Sequence, residues 1–169
     1  MNLTVRDVRP DDAEAVVAIL NPIIETGLYT VFDAPVTVEA ERAYIESLPE
    51  RSIFLVAAGK SGEEPEEVVG FQSMEPFAAY TGAFAHVGVL GTYVSLRHRR
   101  LGVARALFQR SFQEARRKGY EKIFTFVRAD NPAALAAYLA QGFTTIGTAG
   151  RQAKIRGRYI DEILIEKFL

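Results

Sequence analysis

Cysteine and tryptophan are absent from this 169-residue chain, and histidine occurs only at His86 and His98. Without cysteine there is no disulfide framework, no thiolate metal site and no cysteine nucleophile, and two isolated histidines do not make a zinc ligand set, so no metal is expected. No apolar run approaches the roughly 20 residues that a membrane span needs. The opening MNLTVRDVRP lacks the apolar segment of a secretion signal, so the expected location is the cytoplasm, with no membrane partner. Neither GxxxxGK[ST] nor GxGxxG occurs, which removes the common nucleoside-triphosphate and dinucleotide loops. The arginines are not interleaved with aromatics and no nucleic-acid module is recognisable, so nucleic acid is not expected either. Chemistry must then come from a bound organic cofactor or from ordinary acid–base side chains.

What is present is enough apolar residue, 49%, to build one sizeable core, and the length is that of a single domain spanning 1–169. The net charge of −1 hides an imbalance. Residues 1–90 carry 5 basic and 15 acidic side chains, and residues 91–169 carry 15 and 6. Chance is one reading; the other is that the second half holds something polyanionic.

Patterning predicts a mixed α/β domain. LTVRDV (3–8) alternates as a strand, the turn at Pro10 to Glu14 opens a helix that Gly27 stops, and a second helix is expected over about 38–48 from Thr37. SIFLVAAG (52–59), VVGFQSMEPF (68–77) and AHVGVLGTYVSL (85–96) read as strands, with GKSGEEPEE as a polar turn. Gly88 and Gly91 point to a bulge or to close approach of a ligand. A helix over about 101–118, a strand at 121–129, a short helix capped by Asn131 and opened by Pro132, and strands at FTTIG and YIDEILIEKF complete the chain.

The most informative stretch is TYVSLRHRRLGVARALF (92–108), a strand that enters a helix through a basic loop. A helix N-terminus exposes unpaired N–H groups and about half a positive charge, so Arg97, Arg99 and Arg100 are unfavourable there unless an anion is bound. With a pyrophosphate present the conflict disappears, because amides and guanidinium forks both point at its oxygens. Gly102 and the small Ala104 would let it approach the backbone. A solvated basic loop is the bland alternative, and it leaves glycine and arginines unexplained together.

Arg99-Arg100-Leu101-Gly102-Val103-Ala104 resembles the Q/R-x-x-G-x-G/A signature of the GNAT superfamily, and NPAALAAYLAQGF (131–143) resembles that family's N-x-x-A-x-x-x-Y-x-x-x-G-F. The resemblance implies an acyl-CoA N-acyltransferase fold, an α+β architecture whose mostly antiparallel sheet is flanked by about four helices. The sheet would splay between the strands at 85–95 and 121–129, with acetyl-CoA in the cleft as acyl donor. Carried over, Arg99 to Ala104 would hold the pyrophosphate and main-chain groups of Tyr93 and Val94 would pair with the pantetheine. Asn131 would bond the cofactor arm, and Tyr138 would lie beside the sulfur. A phenol of pKa about 10 can give a leaving thiolate a proton at neutral pH without itself being ionised. A packed aromatic on an Ala-rich helix is the plainer reading of Tyr138.

The base is less legible. Many family members place a glutamate on the strand before the basic loop, and HVGVLGTYV has none. Glu25, at the end of the first helix, is the first choice, with Glu75 and His86 behind it. Residues 19–45 resemble the phosphinothricin acetyltransferase-like branch, which implies a small amino-acid-like amine. The C-terminal KIRGRYIDEILIEKF is more like polyamine or protein N-terminal acetyltransferases. Arg151, Lys154, Arg156 and Arg158 are expected in the turn before the last strand, where pointing inward they would bind a carboxylate, although a solvated hairpin is the plainer reading. The acidic first half would instead steer a cationic amine. The expected reaction is direct attack of a primary amine on the thioester, and the competing class is a non-catalytic acyl-CoA-binding module that lost its base. Relatives are often dimers, so a homodimer is also considered.

Overall fold

The computed structural model of the protein describes residues 2–60 and 66–169. Most of the expected polar turn, residues 61–65, lies outside the described residues. In chain order the elements are β1 (Asn2–Asp7), α1 (Ala13–Thr26), α2 (Val38–Glu46), β2 (Ile53–Lys60), β3 (Glu67–Pro76), β4 (Val87–Val94), α3 (Val103–Arg117), β5 (Lys122–Arg128), α4 (Pro132–Leu139), β6 (Thr144–Ile155) and β7 (Arg158–Phe168).

Local chemistry accounts for the ends of these elements. Asp12 opens α1, its carboxylate accepting from the Arg9 backbone N–H at 2.7 Å and from the Arg6 guanidinium at 2.7 and 2.8 Å. Gly27 closes α1 in the left-handed region, φ 65°, with its N–H on the Ile24 carbonyl. Only glycine adopts that conformation at no steric cost. Thr37 caps α2 by accepting from Ala40 N at 3.1 Å, and Asn131 caps α4 by accepting from Ala134 N at 3.2 Å.

The Arg6–Asp12 pair carries a pH signature. Hydrogen bonds from Arg6 are the main reason the Asp12 carboxyl is held below its ordinary range. A lowered folded-state pKa stabilises the protein in full above the unfolded value, and the contribution is lost as pH falls through the folded value. Asp12→Asn is therefore expected to unfold at lower urea than wild type at pH 7. The gap should narrow as the pH drops through the carboxylate range, and a gap independent of pH would contradict this account.

The sheet order is β1-β2-β3-β4-β5-β7-β6. Every neighbouring pair is antiparallel except β4 and β5. Helices cover both faces. One core cluster joins the sheet to α3 and α4 through Leu55, Met74, Leu107, Phe108, Ile123 and Phe143; the other joins it to α1 through Val16, Leu20, Ile23, Phe54, Val56 and Phe71. The uninterrupted apolar run of β2 follows, since residues pointing either way are buried.

The one parallel pairing is short. It covers Val87–Val89 against Lys122–Phe124, and beyond it β4 and β5 diverge. The hydroxyl of Thr125 donates to the Leu90 carbonyl at 2.6 Å where they part. This is the splay that the family resemblance implied.

Three expectations are corrected. The β3–β4 register is continuous, so Gly88 and Gly91 mark no bulge there. A Cβ at Gly88 would lie 2.9 Å from the Met74 sulfur, so close packing accounts for that glycine. One at Gly91 would lie 3.3 Å from the Tyr93 ring, and Gly91 also lines the cleft between β4 and β5, where close approach of a ligand remains open to it. Helix α3 starts at Val103 rather than near 101, because Arg100 and Gly102 both have positive φ. Finally, Arg151 and Lys154 lie within β6, which runs to Ile155; the turn itself is Arg156-Gly157, both with positive φ, the geometry of a two-residue hairpin. β6 is an exposed edge strand, so it has no alternating apolar pattern to reveal its length.

Candidate active site

Two cavities occupy the gap between β4 and β5. One, of about 520 Å³, is walled by the entrance to α3 and by α4. The other, of about 470 Å³, is walled by residues 29–32 of the α1–α2 loop, by β3 and β5, and by Glu162 of β7. Tyr29, Thr92, Tyr93, Asn131, Ala134 and Tyr138 line both, so the two spaces meet at these side chains. Both volumes lie in the range of small-molecule sites.

The first cavity is electropositive. Arg99, Arg100 and Arg105 line it, together with Gly102, Val103 and Ala104. Gly102, φ 83°, precedes the first helical residue, and a Cβ built there meets no atom within 4 Å, so packing does not require glycine. What remains is the left-handed backbone and the open space in front of unpaired helix amides, which is how an anion site is made. Arg99 lies with its guanidinium carbon 4.0 Å from the centre of the Tyr29 ring, which ties the basic loop to the α1–α2 loop. Two predicted members lie elsewhere. Arg97 pairs with Glu67 of β3 at 3.3 Å, both exposed, and Leu101 is an exposed side chain outside the cavity wall. Arg105, which faces the cavity one turn into α3, was missed because in sequence it reads as an ordinary surface arginine.

Past Val89, β4 has no strand partner on its β5 side. Tyr93 and Val94 therefore sit on an unpaired edge, the kind an extended ligand can join through amide hydrogen bonds. The Tyr93 side chain stacks on Phe71 at 4.9 Å, and burial pushes its hydroxyl pKa up. Asn131 is buried, and its one side-chain hydrogen bond among the described residues is the α4 cap, which leaves its amide nitrogen available toward the cavities it lines.

Tyr138 stands at the junction. Its ring packs edge-on against Phe108 and Phe143, with centroids at 5.2 and 5.1 Å, and its hydroxyl donates to the Thr92 hydroxyl at 3.2 Å. Burial raises its pKa well above the usual phenol value. It is thus both a packed aromatic and a protonated phenol at the point where the two cavities join. Thr92 also accepts from the Gln72 amide at 2.8 Å, so Tyr138 is positioned from the sheet; nothing in the sequence distinguished Thr92 or Gln72.

The second cavity has the opposite polarity. Glu75 and Glu162 line it, and Arg128 is its one cationic lining residue. Glu75 accepts a hydrogen bond from the Tyr44 hydroxyl. In the sheet it pairs with Val89 of β4, so it stands one strand away from where family members place their glutamate. Glu162 is buried, its Oε1 has no hydrogen-bond partner among the described residues, and burial raises its pKa against the opposing pull of Arg128. Arg128 is held elsewhere: it donates to both Asp130 carboxylate oxygens at 2.8 and 2.7 Å, and to the carbonyls of Gly27 and Thr30 at 2.8 and 2.9 Å. Four of its five N–H donors are thereby committed, two of them to pinning the α1–α2 loop over the cleft.

The structure does not bring Glu25 into the wall of either cavity; its side chain is exposed at the end of α1, and only its carbonyl is bonded, by Arg156 at 3.1 Å. His86 is likewise exposed and outside both walls. Arg151, Lys154, Arg156 and Arg158 do not line the cavities, and Arg151 and Lys154 instead lie over the Tyr159 ring. Glu162 was missed because in YIDEILIEKF it reads as one of the polar residues of an alternating strand.

The family model described as acetyltransferase (GNAT) family matches residues 22–143, most of the chain, and the chain belongs to that family. A ribosomal-protein-alanine N-acetyltransferase from Brucella melitensis superposes with a TM-score of 0.86 at 28% identity, over 98% of this chain and 99% of that one. A GCN5-related N-acetyltransferase from Kribbella flavida gives 0.83 at 27% identity, over 99% and 98%. A GNAT superfamily phosphinothricin acetyltransferase from Sinorhizobium meliloti, in complex with AcCoA, gives 0.88 at 19% identity, over 100% and 89%, and at that identity shows the fold alone. Among curated proteins none matches the sequence. The expected acyltransferase fold, a seven-stranded splayed sheet with four α-helices, is borne out.

Proposed function

We propose that the protein moves an acetyl group from acetyl-CoA to the primary amine of a small molecule by direct attack. The observation that carries this reading is the polarity of the joined cavities, with arginines and helix amides on one side of Tyr138 and carboxylates on the other. Arg99, Arg100, Arg105 and the amides from Gly102 to Ala104 would hold the pyrophosphate. The edge of β4 at Tyr93 and Val94 and the Asn131 amide would align the pantetheine arm. Glu75 would take the proton from the attacking ammonium, directly or through one water, in place of Glu25. The amine nitrogen then forms the new C–N bond, the C–S bond breaks, and the second proton shed by the nitrogen returns to the Tyr138 oxygen as its hydroxyl protonates the sulfur. Tyr138, kept protonated by its burial, donates to the departing sulfur.

The presence of carboxylates in the acceptor cavity argues against a non-catalytic binding module that lost its base. The amino-acid-like acceptor is not favoured by this cavity, because the basic residues meant to bind its carboxylate lie outside the wall. The test is amine-dependent release of free CoA thiol across a panel of amines. Binding of acetyl-CoA with no such release would support a sensing module instead. In the same assay Tyr138→Phe is expected to lower kcat by roughly 100-fold, the lower end of the range for general acid catalysis, with little change in acetyl-CoA affinity. An unaltered kcat would remove Tyr138 as the donor.

A further inference from the structure

Glu162 is a buried carboxylate that the transfer reaction, as assigned to Glu75 and Tyr138, does not use. It lines the acceptor cavity, and among the described residues one of its oxygens has no hydrogen-bond partner. A buried, unpartnered carboxylate oxygen is costly, and the cost disappears when a cation reaches it. Its neighbour in the ladder, Arg128, does not do so: no salt bridge joins the two, and Arg128 is neutralised by Asp130 and committed to loop carbonyls. No third metal-ligating side chain accompanies Glu75 and Glu162, since no cluster of three such residues occurs among the described residues. With Arg128 balanced by Asp130, two negative charges remain for an occupant.

These charges are far apart. Glu75 is on β3 and Glu162 on β7, three strand spacings apart in the sheet order, on the order of 15 Å across the strands. Glu162 also lies four residues along β7 from Glu166, which the register aligns with Glu75 through Val89 and Phe124. Roughly 13 Å along the strands is thereby added where β4 and β5 diverge, and the inward-reaching side chains shorten this span. Between them the wall is largely apolar, with Val31, Phe32, Phe77 and Phe126 among its residues. Two anionic ends joined by an apolar trough match two cationic ends joined by methylenes.

We infer that the acceptor is a dication, in the simplest case a linear α,ω-diamine of several carbons, with Glu162 holding the distal ammonium while Glu75 faces the nitrogen that is acetylated. This rests on the transfer reaction proposed above. Glu162 binds the acceptor and takes no proton, so its removal acts on acceptor KM more than on kcat.

The experiment compares three acceptors of equal chain length by thiol release: an α,ω-diamine, the corresponding monoamine and the corresponding ω-amino acid. With wild type, kcat/KM is expected to fall in that order, with the diamine at least tenfold above the monoamine, well beyond the factor of two from its two equivalent nitrogens. Glu162→Gln should lower the diamine-to-monoamine ratio by roughly tenfold or more, chiefly through KM, as loss of a charge-assisted hydrogen bond does. Wild type that turns over monoamine or ω-amino acid as well as diamine overturns the inference, and so does a Glu162→Gln enzyme that keeps the wild-type ratio. If Glu162→Gln does not fold, the wild-type order alone decides. Transfer to monoamines with no diamine preference refutes only this inference, whereas bound acetyl-CoA with no transfer to any amine refutes the proposed function itself.

Discussion

Glu75→Gln is expected to lower kcat by roughly 100-fold or more at neutral pH, within the range that a positioned general base contributes. The amide is nearly isosteric, so the contact with Tyr44 can persist and the fold should hold. What disappears is the capacity to take a proton. The amine would then attack only when solution delivers it already neutral. Raising the pH should therefore recover rate in the variant more steeply than in wild type, and steady-state kinetics between pH 7 and 10 would check this. A variant with wild-type kcat would show that Glu75 is not the base.

The second large effect is expected at the other end of the cleft. Gly102→Val places a β-branched side chain into the open space before α3, where a Cβ meets no protein atom within 4 Å. Two costs should separate. The left-handed backbone, φ 83°, penalises any Cβ by about 1–2 kcal/mol, measurable as lost stability in urea. The affinity for acetyl-CoA should fall much further, by roughly 100-fold or more, because the methyl groups would fill the space proposed for the pyrophosphate before the helix amides, and charge-assisted hydrogen bonds would be lost. Calorimetry on the folded variant reads the second effect alone. Unchanged affinity would show that the diphosphate lies elsewhere.

The anion side was largely legible in sequence because its chemistry is local. Arg99, Arg100, Gly102 and Ala104 lie within one turn of chain, and a helix start announces itself by caps, glycine and charge. The structure keeps these residues together and adds Arg105. Asn131 and Tyr138 were legible for the same reason, lying within a single short helix and its cap. The acceptor side was not. Its walls come from the α1–α2 loop, β3, β5 and β7, segments far apart in sequence. Glu25 was ranked first by its place in the chain, and the turn at Gly27 leaves it facing solvent. Arg128, the cation in this wall, is occupied by contacts to Gly27 and Thr30 about a hundred residues earlier.

The sequence by itself therefore determined the order of the elements, the basic helix entrance and the family resemblance, since these depend on periodicity and on motifs of neighbours a few residues apart; the length of the exposed edge strand β6 was not among them. Only the tertiary structure decided which carboxylates line the second cavity. That depends on the register of β3 against β4 and of β5 against β7, and on the gap that opens where the parallel ladder stops after Val89. Strand register is set by packing across the whole sheet, and a shift of one residue would turn Glu75 and Glu162 to the other face.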